Sequence, residues 1–282
     1  MAANDERRPR HRATLTTYQV TAQGRGCSGS PPFAQAEIRP YNSNVSTEKS
    51  FWLSPDVTVR DLASHIDHTL LSPLATPSQI EKLAQEAATL ECATACVNSS
   101  YVKLASQTGI KVAATIGFPL GAASTAAKVT EAIKATEDGA SEIDMVIALG
   151  QLRGGNLGMV ADDISAVRRS TNALLKVILE TAMLSANEMV SAARIAVDCG
   201  ADFLKTSTGF NGPGASVSDV IRLVDLAGGK AKVKASGGIK TLETARFMLD
   251  AGASRLGCSA TVSILRELKE SNDRRNILAT LQ

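Results

Sequence analysis

The chain has 282 residues, of which 44% are hydrophobic, 21% charged and 4% aromatic. These proportions are close to those of globular proteins and exclude a collagen-like or globally disordered chain; no apolar run is long enough to cross a bilayer. Because aromatic residues are scarce, the core must consist of Ala, Val, Ile and Leu, which favours an α/β or helix-rich fold. The 30 basic and 28 acidic residues give a net charge of +2 without a basic, aromatic-rich face, which argues against nucleic acid as a partner.

The first 55 residues differ in composition from the rest. They are rich in Arg, Pro, Ser and Gly and show no sustained periodicity, which predicts a flexible extension at 1–55 before one domain at 56–282. The Arg, Ser and Thr content permits an organelle import signal, although Asp5 and Glu6 argue against one. Five scattered cysteines favour a reducing compartment. We therefore expect a cytoplasmic protein, with organelle import as the alternative.

From about residue 60, short apolar runs alternate with longer amphipathic stretches. Eight strands are predicted, at His65–Leu71, Ala95–Val97, Lys111–Ile116, Glu142–Ile147, Leu174–Leu179, Asp202–Lys205, Lys232–Ala235 and Ser254–Gly257. Six helices are predicted between them, at Pro77–Thr89, Ser124–Asp138, Gly158–Ser170, Ala186–Cys199, Val217–Leu226 and Leu242–Asp250. Gly139, Gly200 and Gly252 each follow a helix and suit a left-handed cap. Eight alternating units predict a TIM (β/α)8 barrel, with an open doubly wound sheet as the alternative.

Charged residues occur near the ends of predicted strands, where the active sites of such barrels lie. Asp144 lies in the fourth strand, Lys205 ends the sixth, and Lys234 lies in the seventh. A charge inside a barrel is costly unless it is paired or functional. One carboxylate cannot neutralise two ammonium groups, so these residues predict surplus positive charge. A purely structural ion-pair cluster is the alternative interpretation.

Surplus positive charge has a chemical use. A free lysine has a pKa of about 10.4, so only roughly one in 2,500 is unprotonated at pH 7. Burial and a second cation within about 4–6 Å both lower that pKa and increase the nucleophilic population. The pattern therefore predicts imine formation with a carbonyl substrate, with an ionised Asp144 moving protons.

Glycine-rich segments follow the last two strands, at Ser236-Gly237-Gly238 and Gly257-Cys258-Ser259. Backbone amides in these two loops commonly bind phosphate in (β/α)8 barrels. Carbonyl chemistry together with a phosphate site predicts a sugar-phosphate aldolase.

Several motifs resemble the deoxyribose-phosphate aldolase family. The main ones are Glu142-Ile143-Asp144-Met145-Val146, Phe203-Leu204-Lys205-Thr206-Ser207-Thr208-Gly209-Phe210 and Val233-Lys234-Ala235-Ser236-Gly237-Gly238-Ile239, with support from Ile66-Asp67-His68-Thr69-Leu70-Leu71 and Lys176-Val177-Ile178-Leu179-Glu180-Thr181. The resemblance runs from about residue 60 to 268. It implies a class I, metal-free and cofactor-free aldolase that reversibly cleaves 2-deoxy-D-ribose 5-phosphate to glyceraldehyde 3-phosphate and acetaldehyde, often as a homodimer.

The resemblance also implies roles for individual residues. Lys205 would form the Schiff base, Lys234 would lower its pKa, and Asp144 would donate and accept protons through a bound water. The substrate would contact Asp67, Thr69, Cys96, Thr208, Gly209, Gly237, Gly238, Gly257 and Ser259. Ala148 and Ala260 stand where many members have polar residues, and no tyrosine follows Tyr101, so the tyrosine relay of some members is expected to be absent or replaced.

Two other function classes remain as alternatives. One is a non-catalytic barrel that binds a sugar phosphate, and the other is a Schiff-base lyase for a larger keto-sugar phosphate. A metal site from His65, His68, Cys92 and Cys96 is not expected, because the two histidines lie three residues apart on a strand and face opposite sides.

Overall fold

The computed structural model describes residues 51–280. Most of the predicted extension, including the possible import signal, lies outside these residues. Phe51–Leu53 forms a short 3-10 helix, and the Trp52 ring packs edge to face on His65 with 4.7 Å between ring centroids. The domain boundary at 55/56 stays a prediction.

Eight parallel strands form the centre of the domain. They are β1 (Ile66–Leu70), β2 (Thr94–Asn98), β3 (Val112–Ile116), β4 (Ala140–Val146), β5 (Leu174–Ile178), β6 (Phe203–Lys205), β7 (Lys232–Ser236) and β8 (Arg255–Cys258). Each strand pairs with the next one in the chain, and β8 pairs with β1, so the sheet is a closed barrel. The TIM barrel is confirmed, and the open doubly wound sheet is excluded.

Helices surround the barrel. They are α1 (Val59–Ala63), α2 (Pro77–Thr89), α3 (Val102–Ser106), α4 (Thr125–Glu137), α5 (Leu149–Arg153), α6 (Leu157–Ser170), α7 (Ala186–Asp198), α8 (Val217–Ala227), α9 (Leu242–Asp250) and α10 (Thr261–Thr280). The six predicted helices are all present, shifted by at most one residue at an end. The prediction omitted α1, α3 and α5, which are too short to show a helical period, and α10. In residues 51–280, no helix combines the length and the apolar composition that a bilayer crossing requires.

Local sequence explains where these elements begin and end. Thr76 and Ser185 open α2 and α7 with capping boxes, in which side chain and backbone satisfy each other's hydrogen bonds. Gly139, Gly200 and Gly252 follow α4, α7 and α9 with φ between +83° and +108°. This conformation costs glycine little because it has no Cβ. The helices therefore stop where the chain must turn into the next strand.

Side chains alternate between two environments along each strand. Outward-facing residues such as Ile66, Ile143 and Leu204 join one apolar layer between the strands and the helices. Inward-facing residues include the charged side chains of Asp67, Asp144 and Lys234, all without solvent exposure. The hydrophobic core of this protein is thus a shell around the barrel, and the barrel interior is mostly polar.

Candidate active site

Strand register brings the inward-facing charges to one level of the barrel. Asp144 on β4 pairs in register with Lys176 on β5, and Lys205 on β6 pairs with Lys234 on β7. Asp67 on β1 lies beside Gly257 of β8, which closes the ring. Since inward-facing residues recur every second position, β1 and the four consecutive strands β4 to β7 each contribute one of these charged side chains.

Asp144 lies between the two lysines that the sequence analysis singled out. Its Oδ2 accepts hydrogen bonds from Lys205 Nζ at 2.8 Å and from Lys234 Nζ at 2.7 Å. Lys205 is 2% exposed and the other two are fully buried. The structure therefore brings the three predicted catalytic residues into direct contact, shielded from bulk water.

A third lysine, Lys176, completes the contacts of Asp144. Its Nζ lies 2.6 Å from Asp144 Oδ1, 2.5 Å from Glu142 Oε2 and 3.7 Å from Asp67 Oδ2. Lys176 thus contacts Oδ1 of Asp144, whereas Lys205 and Lys234 both contact Oδ2. It therefore fixes the orientation of Asp144 in the barrel.

Asp67 joins the cluster from the opposite side. Its Oδ2 lies 2.5 Å from Lys234 Nζ, and its Oδ1 accepts from Arg255 at 2.6 Å. Arg255 also lies 3.2 Å from Glu142. The cluster thus joins four cationic side chains to three carboxylates, listed as Lys176, Lys205, Lys234 and Arg255 with Asp67, Glu142 and Asp144.

The three lysines titrate in different directions. Burial lowers the pKa of Lys205, and the neighbouring Lys234 ammonium lowers it further. The Asp144 carboxylate raises it, but the pKa of Lys205 remains below its ordinary value. Burial also disfavours the charged form of Lys234, but the Asp144 and Asp67 carboxylates hold its pKa well above the ordinary value. Burial likewise disfavours the charged form of Lys176, but nearby carboxylates, mainly Asp144, raise its pKa above the ordinary value. Lys205 is therefore the amine of the cluster that most readily becomes neutral.

Asp144 and Asp67 stay ionised. Burial opposes ionisation of Asp144, but the three lysines around it hold its pKa well below the usual range. The pKa of Asp67 is lowered in the same way by Lys234, Lys176 and Arg255 against the cost of burial. A carboxylate held ionised beside a neutral amine can accept a proton during a reaction.

Sequence reasoning missed Lys176, Glu142 and Arg255 as members of this cluster. A signal for Glu142 was present, because it lies two residues before Asp144 and so faces the same side of β4. Lys176 and Arg255 interrupt otherwise apolar strands in the same way. Their partners depend on the register between strands, which the local sequence does not give.

The predicted residues of β1 and β2 lie next to the cluster. Thr69 pairs in register with Cys96, and the Thr69 hydroxyl donates to the carbonyl oxygen of Asp67 at 2.7 Å. Cys96 is fully buried, and burial raises the pKa of its thiol. A protonated thiol here contributes shape and not charge to the wall of the site.

The predicted phosphate residues lie at the ends of β6, β7 and β8, and the loops after β6 and β7 touch through glycine backbones. A Cβ on Gly237 would lie 3.3 Å from the Cα of Gly209 and 2.9 Å from the Cα of Gly214. Gly209 and Gly237 both have positive φ, at +82° and +85°. This approach therefore requires glycine for both conformation and space. Gly238 and Ser259 lie exposed beyond the ends of β7 and β8.

Two other predicted substrate residues are in closer contact with protein. A Cβ on Gly257 would lie 2.8 Å from Ser236 Cβ and 3.2 Å from Lys234 Cε, so the missing side chain leaves room for the lysine. Thr208 is buried, and its hydroxyl donates to Glu180 and accepts from the amide of Phe210.

His68 lies in β1, whereas His65, predicted to begin that strand, lies one residue before it, and the two rings have different surroundings. His65 packs on Trp52, whereas His68 is buried between Thr261 and Glu86, with ring nitrogens 2.9 Å and 3.1 Å from their oxygens. Within residues 51–280, no group of three His, Cys, Asp or Glu side chains is arranged to hold a metal ion.

The chain is similar to known aldolases in both sequence and structure. The chain matches the DeoC/LacD family of aldolases over residues 62–268. It is 45% identical over 219 residues to a deoxyribose-phosphate aldolase of Caldicellulosiruptor saccharolyticus, covering 75% of this chain and 100% of that protein. The crystal structure of a putative deoxyribose-phosphate aldolase from Coccidioides immitis superposes with a TM-score of 0.74 at 44% identity, covering 76% and 87% of the two chains. A tetrameric deoxyribose phosphate aldolase from Aeropyrum pernix superposes with a TM-score of 0.70 at 35% identity, covering 75% and 92%.

Proposed function

Since the chain belongs to the DeoC/LacD family of aldolases, we propose that it is a class I aldolase acting through a Schiff base on Lys205. It reversibly cleaves 2-deoxy-D-ribose 5-phosphate to D-glyceraldehyde 3-phosphate and acetaldehyde, in the breakdown of deoxyribonucleotides. The 45% identity to a named deoxyribose-phosphate aldolase supports this substrate.

The charge count of the ion-pair cluster around Asp144 and Asp67 is the observation that carries the proposal. Four cations face three carboxylates, so one cation lacks a matching charge. Lys205 contacts one carboxylate, Lys234 contacts two and Lys176 contacts three. When Lys205 loses its proton, the cluster becomes electrically balanced. A neutral amine is the form that attacks a carbonyl carbon.

The reaction follows from these groups. The neutral Lys205 amine attacks C1 of the open-chain aldehyde, and the resulting carbinolamine takes up one proton and loses water to form a protonated imine. A base removes the proton of the C3 hydroxyl, the C2–C3 bond breaks, and its electron pair moves into the imine to give an enamine. Glyceraldehyde 3-phosphate leaves. The enamine is then protonated at C2, and water hydrolyses the imine to release acetaldehyde and regenerate Lys205.

Asp144 and Lys234 support the proton transfers. Asp144 is the ionised group in contact with Lys205, so we assign it the role of accepting and returning protons through a bound water. Lys234 remains charged, so it lowers the pKa of Lys205 and stabilises Asp144 as a carboxylate. Asp67 holds Lys234 in place from the other side at 2.5 Å.

The remaining predicted residues form the substrate pocket in this proposal. Thr69 and Cys96 lie on the wall beside Asp67 and contact the two-carbon fragment. The substrate phosphate lies at the loops after β6, β7 and β8, where we assign binding to Gly209, Gly237, Gly238, Gly257 and Ser259, with Thr208 next to Gly209 shaping the site. The close glycine backbones there let main-chain amides approach an anion.

Borohydride reduction in the presence of acetaldehyde tests the proposal. The expected result is a two-carbon adduct on Lys205, found by peptide mass mapping, together with cleavage of 2-deoxyribose 5-phosphate by the full chain. Lys205→Ala should abolish both, whereas Lys111→Ala, which changes an exposed lysine, should affect neither. No adduct would indicate a non-catalytic sugar-phosphate barrel. An adduct without cleavage of this substrate would indicate a lyase for a larger keto-sugar phosphate.

The assembly and location of the protein complete the proposal. We assign a homodimer in the cytoplasm. Three buried cysteines without disulfides, Cys92, Cys96 and Cys258, support a reducing compartment. The tetrameric relative from Aeropyrum pernix supports association of such barrels. Light scattering of the full chain distinguishes a dimer from a monomer or tetramer.

A further inference from the structure

Glu180 has an unusual backbone conformation at the end of a barrel strand. It follows β5 by two residues and adopts φ +57° and ψ +57°, the left-handed region. In residues 51–280 only Glu91 among other non-glycine residues has a positive φ, and Glu91 lies after the end of α2, where left-handed residues are common. A non-glycine residue held in this region by its surroundings often marks a functional site.

The Glu180 side chain explains what holds it. The carboxylate is buried, with 1% of the residue exposed. Its Oε1 accepts from the backbone amide of Thr208 at 3.1 Å, and its Oε2 accepts from the Thr208 hydroxyl at 2.5 Å and from the Asn211 side-chain amide at 3.1 Å. Three donors from one short segment therefore converge on one carboxylate.

The segment held by Glu180 begins at Thr208, three residues after the Schiff-base lysine Lys205. Thr208 and Asn211 lie on either side of Gly209 and Phe210, and the Thr208 hydroxyl also accepts from the Phe210 amide at 3.0 Å. Gly209 in turn packs on Gly237 of the loop after β7. Glu180 thus fixes the position at which the two glycine loops meet.

A second contact extends this arrangement to the loop after β3. The Asn211 side chain donates to the carbonyl oxygen of Pro119 at 2.9 Å. The rings of Phe118 and Phe210 pack edge to face with 5.2 Å between centroids. The carboxylate of Glu180 is therefore the buried anchor of contacts between the ends of three strands.

The Glu180 side chain holds this segment through hydrogen bonds to both of its carboxylate oxygens. Its two oxygens accept from three donors, and such charge-assisted hydrogen bonds are stronger than neutral ones. The donors are thereby drawn inward and fix the backbone around Gly209. Glu180 itself stays beneath the loop and does not face the solvent.

We propose that Glu180 is a positioning residue for phosphate recognition: it holds Thr208–Asn211 so that the Gly209 and Gly237 backbones form the phosphate site. This inference rests on the proposed function. Glu180 acts on the binding of the phosphorylated end only through the Thr208–Asn211 segment, and it has no part in the imine chemistry at Lys205.

Glu180→Gln tests the inference. Glutamine has the same shape but offers an N–H group where the carboxylate accepts, so one donor of the Thr208–Asn211 segment loses its partner. We expect kcat/KM for 2-deoxyribose 5-phosphate to fall by about 10–100-fold, mainly through KM, the loss typical of a charge-assisted hydrogen bond. For 2-deoxyribose, which lacks the phosphate, kcat/KM should change by less than about threefold. Equal losses for both substrates, or no loss for either, would overturn the inference.

Glu188→Gln is the matched control. Glu188 also accepts from a backbone amide and a hydroxyl, both of Ser185, but at the start of α7. Glu188→Gln should leave unchanged the ratio of kcat/KM for 2-deoxyribose 5-phosphate to kcat/KM for 2-deoxyribose. If Glu180→Gln does not fold, Asn211→Ala is tested in its place. The Asn211→Ala variant removes one donor to Glu180 and the contact to Pro119. It should shift the same ratio in the same direction, and an unchanged ratio counts against the inference.

A binding measurement separates this inference from the proposed function. Inorganic phosphate should raise the melting temperature of the wild-type protein, since a ligand that binds only the native state stabilises it. The shift should be smaller in Glu180→Gln. Wild-type protein that cleaves neither substrate would defeat the proposed function alone, whereas equal phosphate-induced shifts in both proteins would defeat the role of Glu180.

Discussion

Lys205 and Lys234 lie in register on adjacent strands and donate to the same oxygen atom, Oδ2 of Asp144. One oxygen cannot compensate two ammonium groups equally, and Lys234 has Asp67 as a second partner. The unequal sharing explains why the pKa of Lys234 rises while burial and Lys234 lower that of Lys205. Each lysine therefore has a separate consequence when it is replaced.

Replacing Lys234 should shift the pH dependence of the reaction. In Lys234→Leu, the cation that lowers the pKa of Lys205 is gone, so that pKa rises and less neutral amine exists at pH 7. We expect kcat/KM to fall by about 10-fold or more at pH 7, one pKa unit corresponding to tenfold. The loss should shrink as the pH increases. The full pH profile of kcat/KM is the measurement.

Lys234→Arg serves as the comparison, since it keeps the positive charge. Its profile should lie closer to that of the wild-type protein than the profile of Lys234→Leu. A pH-independent loss in Lys234→Leu would contradict control of the Lys205 pKa by charge.

Asp144→Asn should separate imine formation from turnover. The variant removes the carboxylate that raises the pKa of Lys205, so the amine stays available for acetaldehyde. It also removes the group proposed to transfer protons, a role typically worth about 10²–10⁴-fold. Borohydride should therefore still trap an adduct on Lys205 while cleavage of 2-deoxyribose 5-phosphate falls by that factor. Loss of trapping and turnover in parallel would assign Asp144 to imine formation instead.

Replacing Lys205 should increase stability while activity is lost. Its pKa is lowered from the ordinary 10.5, so the folded protein disfavours its proton relative to the unfolded chain. The resulting cost is complete below the folded pKa and disappears as the pH rises toward 10.5. Lys205→Met should therefore raise the melting temperature at pH 7, and by less at pH 10. Lys111→Met, at an exposed position, should show no such trend, and a destabilised Lys205→Met at pH 7 would refute the argument.

Gly257→Ala tests the space beside Lys234. The added methyl group would lie 2.8 Å from Ser236 Cβ and 3.2 Å from Lys234 Cε, so the lysine or the strand must move. We expect a loss of about 1–3 kcal/mol in unfolding free energy, typical of overpacking, and a lower kcat. Gly158→Ala, in helix α6 with no atom within 4 Å of the new methyl, should instead be neutral or stabilising. Urea unfolding and steady-state kinetics provide both readouts.

The barrel could be predicted from the sequence because each strand and each long helix has its own pattern of apolar residues. The eight strands and six helices follow from periodicity, and Asp144, Lys205 and Lys234 stand out because a charge inside an apolar strand requires an explanation. Lys176 was overlooked among the apolar residues Leu174–Leu179, although it faces the same side as its register partner Asp144. Pairing across strands is set by barrel closure, which no single segment encodes.

The loop contacts were harder to predict for a similar reason. Glu180 directly follows the predicted fifth strand, Leu174–Leu179, but its partner Asn211 lies 31 positions later in an irregular segment. No periodicity connects them. The contact exists because strands β5 and β6 are neighbours in the closed sheet and their loops emerge at the same edge.

Alternation along the strands divides the residues of this barrel into two sets that face opposite sides of the sheet. The ionised set faces inward, and the aliphatic set forms the shell beneath the helices. Substitutions that strengthen the shell can therefore accumulate without disturbing the reacting groups. A protein built in this way is well suited to laboratory evolution, because stability can be altered in the aliphatic shell and substrate range at the inward-facing residues.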